Sequence, residues 1–241
     1  MRRDHSVFWH YALLAVARPV LFSAMKRDWR GREHMPGGGV IVATNHISEV
    51  DPLAIGHYVY KAGRWPVFLG KSELFETPVL GGLFRGTGQI PVYRGTKEAG
   101  YALRDAERAI ADGACVIFYP ESTCTRDPDL WPMMGKTGVA RLALATGAPV
   151  IPVGQWGPQE ILRYGEKRIH LFPRKTVHLL AGPPVDLSAF RGGELSRETL
   201  QAATAEVMGA ITRLVSVLRG EPAPATLYDP HSGGAEKGEP Q

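Results

Sequence analysis

Gly39-Val40-Ile41-Val42-Ala43-Thr44-Asn45-His46-Ile47-Ser48-Glu49-Val50-Asp51-Pro52 decides how this chain is read. It opens as a short apolar run, the pattern of a strand, and passes into a polar turn. The turn sets an imidazole, His46, five residues before a carboxylate, Asp51. A carboxylate that accepts a hydrogen bond from one imidazole nitrogen fixes the tautomer and leaves the other nitrogen free as a base. Histidine and aspartate also meet by chance, and aspartate caps turns on its own account. The pair therefore takes its meaning from what surrounds it.

Short β-rich runs recur on both sides of it: Pro66–Leu69, Gln89–Tyr93, Cys115–Tyr119, Val150–Val153, Arg168–Phe172 and Thr176–Ala181, besides Val40–Thr44. Helical patterns lie between several of them. Glu98–Ala111 carries Ala99, Leu103, Ala106 and Ile110 at helical spacing and stops at Gly113; Gly138–Ala145 stops at Gly147. Ser196–Leu218 is the longest, with Leu200, Val207, Ile211, Leu214 and Leu218 on one stripe. Strands alternating with helices predict an α/β fold, a mostly parallel central sheet flanked by helices. No internal repeat is evident.

The charge is unevenly placed. Residues 1–34 hold seven basic side chains against three acids, which accounts for the whole net charge of +4, and the rest of the chain is neutral. The same segment contains the apolar stretch Val7–Met25, interrupted by His10, Arg18 and Pro19. An apolar stretch near spanning length, kinked and flanked by basic residues, predicts an interfacial helical arm over residues 1–34 that contacts anionic lipid. The neutral remainder argues against a nucleic-acid-binding face. Two cysteines, Cys115 and Cys124, are too few for a disulfide-stapled secreted fold and suit a reducing compartment. No small-residue cleavage site follows the apolar stretch, so a cleaved signal peptide is not expected. From Glu221 the sequence is rich in proline and glycine and nearly free of apolar residues, so 220–241 reads as a disordered tail after a domain spanning 35–219.

Three further polar clusters stand near strand ends. Gly86-Thr87-Gly88-Gln89-Ile90-Pro91-Val92-Tyr93-Arg94-Gly95 closes with an arginine in a glycine-flanked turn. Tyr119-Pro120-Glu121-Ser122-Thr123-Cys124-Thr125-Arg126-Asp127 follows the apolar Val116-Ile117-Phe118, and Val150-Ile151-Pro152-Val153-Gly154 is a strand interrupted by proline. In open α/β sheets ligands gather at loops leaving the carboxyl ends of strands, so these clusters are expected to converge on one crevice.

In this order the blocks resemble the four motifs of the glycerolipid acyltransferase family, which includes the 1-acylglycerol-3-phosphate acyltransferases. The NHxxxxD block is matched by Asn45, His46 and Asp51; the G-x-I-P-V-x-R block by Gly88, Ile90, Pro91, Val92 and Arg94. The F-P-E-G-T-R-S block is matched by Pro120, Glu121 and Thr123, with Ser122, Cys124 and Thr125 replacing its glycine, arginine and serine. Ile151-Pro152-Val153 stands for the fourth. The resemblance runs from about Met25 to Leu218.

It implies that His46, oriented by Asp51, takes the proton from a lysophospholipid hydroxyl, which then attacks the thioester of acyl-CoA or acyl-carrier protein. Arg94 is expected on the acceptor's phosphate, where a guanidinium fork is well suited. The acceptor pocket is expected to include Glu121, Ser122 and Thr123, with Asn45 beside them and Lys71, Arg126 and Lys136 as further phosphate ligands. No cofactor or metal is implied, and the expected place is the cytoplasmic face of the cell membrane. The missing arginine at Cys124 leaves open an acceptor less highly charged than lysophosphatidate.

Rival readings are a thioester or lipid hydrolase using the same base, a catalytically idle membrane adaptor, a Cys124-His46-Asp51 nucleophilic system, and a zinc site. The eight histidines show no paired-ligand spacing for the last. Cys124 needs an activating environment to serve as a nucleophile.

Overall fold

The computed structural model describes residues 25–93 and 99–230. A seven-stranded sheet forms its centre, in the order β1-β7-β6-β2-β5-β3-β4. Its strands are β1 (Met25–Arg30), β2 (Val40–Thr44), β3 (Pro66–Lys71), β4 (Ile90–Val92), β5 (Cys115–Phe118), β6 (Val150–Trp156) and β7 (Lys175–Ala181). From β6 across to β4 every pairing is parallel. β7 runs antiparallel to β6, and β1 lies parallel to β7. The expected α/β architecture is what the chain adopts.

The helices are α1 (Asp51–Lys61), α2 (Glu73–Glu76), α3 (Pro78–Gly86), α4 (Ala99–Ala111), α5 (Gly138–Thr146) and α6 (Arg197–Arg219). β2 shows why the sheet needs cover on both faces: all five of its residues are buried. Because side chains alternate along a strand, Ile41 and Ala43 enter one core, built with α4, α5 and α6, and Val40 and Val42 enter the other, built with α1. A strand with two apolar faces is the mark of a parallel sheet sandwiched between helices.

α6 is capped at both ends: the Ser196 hydroxyl accepts the Thr199 N–H at 3.1 Å, and Gly220 adopts φ 68° past the last turn. It lies so close to β6 that a Cβ on Gly154 would stand 2.8 Å from Leu214 Cβ.

The sequence reading needs correcting in several places. Arg168–Phe172 is an exposed loop and not a strand. The positions it would need are occupied, since β7 pairs with β6 on one side and β1 on the other. Met25–Arg30, expected within the helical arm, is the edge strand β1, and Lys26, Arg27 and Arg30 keep that edge charged. Residues 1–24 lie outside the described residues. α1, α2 and α3 are helices to which the sequence reading assigns no element. In the expected tail, the Met134 N–H donates to the Tyr228 carbonyl at 2.9 Å, so residues up to there join the fold, and 231–241 lie outside the described residues.

Substituting Gly154→Val should force α6 from the sheet. The expected cost is about 1–3 kcal/mol, the range for overpacking a tight core, seen as a lower melting temperature. An unchanged melting temperature would contradict the close approach.

Candidate active site

All five parallel strands deliver their carboxyl ends to one edge of the sheet, and the polar clusters gather there. β2 ends at Thr44 and the chain is clasped at once to the end of β6. Asn45 Nδ2 donates to the Gln155 carbonyl at 3.1 Å, and the Gln155 N–H donates to Asn45 Oδ1 at 2.9 Å. The Gln155 side-chain amide donates back to the Asn45 carbonyl. Both ends of the Asn45 amide are spent on this clasp, and the residue is buried. It positions the turn.

His46 follows the clasp. Its Nδ1 lies 2.9 Å from Asp51 Oδ2. That oxygen also accepts the Ile47 N–H at 2.6 Å and the Ser48 N–H at 3.0 Å. An oxygen already receiving two N–H groups acts as an acceptor, so His46 Nδ1 carries the proton and Nε2 keeps its lone pair. Asp51 is wholly buried at the first turn of α1, where the helix dipole favours a carboxylate. The capping and orienting roles of Asp51 thus coincide in one atom. Burial nevertheless raises its pKa, against the lowering effect of His46 and the two backbone N–H groups. The His46 side chain stays 18% exposed, while its carboxylate partner is wholly buried.

The imidazole is packed by Tyr119, ring centroids 4.4 Å apart, and by Cys124. Cys124 Sγ lies 3.5 Å from Nδ1 and 3.7 Å from Nε2. A sulfur in line with the Nε2 lone pair would be far from Nδ1, so these near-equal distances leave that lone pair unclaimed. Burial and the nearby Asp51, Glu49 and Glu121 raise the Cys124 pKa, opposed by Lys71. A thiolate is disfavoured here, and the nucleophilic-cysteine reading loses its support.

Glu121, which the sequence placed in the acceptor pocket, is a buried strut. Its Oε1 accepts the His46 N–H at 2.8 Å and its Oε2 the Met133 N–H at 2.9 Å. The Thr125 N–H donates to the His46 carbonyl at 2.7 Å, so the loop after β5 grips the His46 backbone from both sides. Burial pushes the Glu121 carboxyl up to about 8, against the pull of its two N–H donors. Ser122, where the resembled motif has glycine, holds φ 65°, the left-handed region that glycine enters freely. Thr123 beside it is half-buried.

The basic candidates are dispersed. Lys71 is exposed at the end of β3, within electrostatic reach of Cys124. Arg126 and Lys136 are exposed, and the Lys136 N–H is tied to the Pro120 carbonyl at 2.9 Å. Arg94 lies outside the described residues. Among the described residues no group of three potential metal ligands gathers.

Sequence reasoning gave no role to Gln155 or to Arg219. The Arg219 guanidinium carbon stands 4.1 Å from the Trp131 ring centroid and 4.4 Å from that of Trp156, and Nη1 donates to the Asp129 carbonyl at 2.7 Å. It pins the loop after β5 to α6 and the end of β6. An arginine at a helix end and two tryptophans far apart in sequence carry no local signal of that contact.

A paired imidazole and carboxylate, set at the carboxyl edge of a helix-covered parallel sheet, mark an α/β protein whose polar cluster lies where such folds hold ligands. The particular family follows from its relatives. The acyltransferase family profile matches residues 26–156, more than half of the chain, and the chain belongs to that family. The chloroplastic 1-acyl-sn-glycerol-3-phosphate acyltransferase of Brassica napus is 27% identical over 67% of this chain. That match spans 46% of the Brassica protein's own length. The lyso-ornithine lipid O-acyltransferase of Rhodobacter capsulatus is 24% identical over 80% of this chain and 74% of its own. The crystal structure of the 1-acyl-sn-glycerophosphate acyltransferase PlsC from Thermotoga maritima superposes with a TM-score of 0.65 at 26% identity, covering 93% of this chain and 86% of that one. The resemblance read from the four ordered blocks is borne out.

The buried Glu121 gives a stability prediction with a definite sign. The unfolded chain releases this proton near 4.5 and the folded protein near 8. Stability from this group is therefore complete below pH 4.5 and is lost as the pH rises through about 8. Melting temperatures between pH 5 and pH 9 should fall in the parent protein and change less in Glu121→Ala, which should also be less stable at pH 5. Parallel profiles would refute the assignment.

Proposed function

We propose that the protein transfers a fatty acyl group from acyl-CoA or acyl-carrier protein to the free hydroxyl of a lysophospholipid, with 1-acylglycerol-3-phosphate as acceptor and phosphatidate as product. The observation that carries this reading is the His46–Asp51 pair: a proton held on Nδ1 by a buried carboxylate, on an imidazole that is itself partly exposed. The names of the Brassica and Thermotoga relatives support the substrate class.

In the reaction, Nε2 takes the proton of the acceptor hydroxyl as its oxygen bonds to the thioester carbonyl carbon. The tetrahedral intermediate collapses, the carbon–sulfur bond breaks, and the leaving thiolate receives the proton back from Nε2. Asp51 stabilises the imidazolium formed in between. A placed base contributes about 10²–10⁴-fold, and holding two substrates in register contributes more. Arg94 remains the proposed phosphate ligand, with Lys71, Arg126 and Lys136 as cations near the mouth. The proposed place of action is the cytoplasmic face of the cell membrane, on anionic lipid. Among the described residues no helix is long and apolar enough to cross a membrane.

Cys124 supports a second acceptor. It stands where the resembled motif carries arginine, which removes a cation beside His46. The Rhodobacter relative, named for a lyso-ornithine lipid, aligns over more of this chain than the Brassica protein does. A zwitterionic lysolipid acceptor is the alternative for the same chemistry.

Labelled acyl-CoA should yield acylated lipid with 1-acylglycerol-3-phosphate or, on the second reading, with lyso-ornithine lipid. Thiol release at equal rate without any acceptor would indicate a hydrolase instead. His46→Ala should lower transfer by about 10²–10⁴-fold with an unchanged melting temperature. Full activity in that variant would rule out the base.

A further inference from the structure

The segment between β6 and β7 departs from the rule that exposed apolar residues occur singly. Arg163 to Arg174 is exposed almost throughout, and Phe172 is 77% and Ile169 58% exposed, with Leu171 between them also exposed. The same stretch, to Lys175, carries Arg163, Lys167, Arg168, Arg174 and Lys175 against the single acid Glu166. Apolar tips on a cationic stem match the two layers of an anionic bilayer surface, acyl chains beneath charged headgroups.

Strand directions show where this loop projects. β6 is parallel to β2, so it ends at the edge that holds His46. β7 is antiparallel to β6 and starts there, and β1 runs with β7 and starts there too. The loop therefore stands on the rim of the active site. Its root is tied to the catalytic turn, because the Ser48 hydroxyl donates to the Leu162 carbonyl at 2.5 Å. Its far end is tied to the start of β1, because Arg174 Nη2 donates to the Met25 carbonyl at 2.8 Å and Met25 pairs with Lys175. Across the rim, the α2–α3 segment leaving β3 exposes Leu74, Leu80 and, at 79%, Val79. The two most exposed large apolar side chains among the described residues, Val79 and Phe172, thus both belong to segments at this edge.

We infer that the Arg163–Lys175 loop is a membrane-docking element that inserts Ile169, Leu171 and Phe172 into an anionic lipid surface and so turns the His46 crevice toward the bilayer. This rests on the lipid-acyltransferase reading for the choice of a bilayer as the apolar partner. It places the docking contact in the catalytic domain itself, in addition to the N-terminal stretch. A lysolipid then presents its hydroxyl to Nε2 from the surface without leaving it.

The test uses the full chain and vesicles of phosphatidylcholine with and without phosphatidylglycerol. The double variant Ile169→Ser/Phe172→Ser should keep its melting temperature and lose roughly tenfold or more in sedimentation with the anionic vesicles. The double variant Lys167→Glu/Arg168→Glu should lose about fivefold per cation on anionic vesicles only, an effect that added salt erases. Acyl transfer to a monomeric short-chain acceptor should be unchanged in both, while transfer to an acceptor embedded in vesicles falls with binding. An environment-sensitive dye on Phe172→Cys, selective because Cys115 and Cys124 are buried, should shift on adding anionic vesicles. Unchanged sedimentation of both variants would overturn the inference. So would a dye already shielded before vesicles are added, meaning cover by residues 1–24, or a dye responding only to protein concentration, meaning a second copy. An inactive parent protein that still docks through the loop would sink the acyltransferase reading and leave the docking surface standing.

Discussion

One oxygen atom organises the catalytic end of this protein. Asp51 Oδ2 accepts from His46 Nδ1, the Ile47 N–H and the Ser48 N–H, and its residue opens α1. Without that acceptor, two backbone N–H groups of a buried turn would lose their partner, at about 1–3 kcal/mol for each unsatisfied group. The imidazole would also lose what fixes its proton on Nδ1. Folding the turn and orienting the imidazole are therefore the same event. The cost of burying a carboxylate, visible in the raised pKa of Asp51, is met by three donors converging on one atom.

The remaining supports act on the His46 backbone. Glu121 accepts its N–H, Thr125 donates to its carbonyl, and Asn45 just before it is clasped to Gln155. These partners come from the ends of β5 and β6, the strands on either side of β2. A parallel sheet brings such ends to one edge by construction, which is why residues distant in sequence meet here. Arg219, held between Trp131 and Trp156, extends the support to the outer side of the loop after β5. A side chain fixed through both its backbone and its ring loses little freedom when a substrate arrives, which is the condition for effective orientation.

Much of this was legible in the sequence where burial is two-sided. β2, β5 and β6 read correctly as apolar runs because both of their faces meet core. One-sided or marginal elements misled. β1 looked like part of a basic arm because an edge strand keeps its charges, and Arg168–Phe172 looked like a strand because its apolar alternation serves a surface instead of a ladder. His46 and Asp51 were placed correctly as a pair, since five residues let one turn bring them together. Glu121 spends both of its oxygens on backbone N–H groups, a role that the motif alone does not reveal. Gln155 and Arg219 act across the fold through contacts that no local pattern encodes.

Cys124 sharpens the chemistry by what it withholds. A cation at this position would place a positive charge beside His46. The thiol adds none, because burial and the surrounding carboxylates keep it neutral. It occupies space against the ring without claiming the Nε2 lone pair. The charged groups nearest the imidazole are consequently buried carboxyls, and Lys71 at the end of β3 is a cation within electrostatic reach of the thiol.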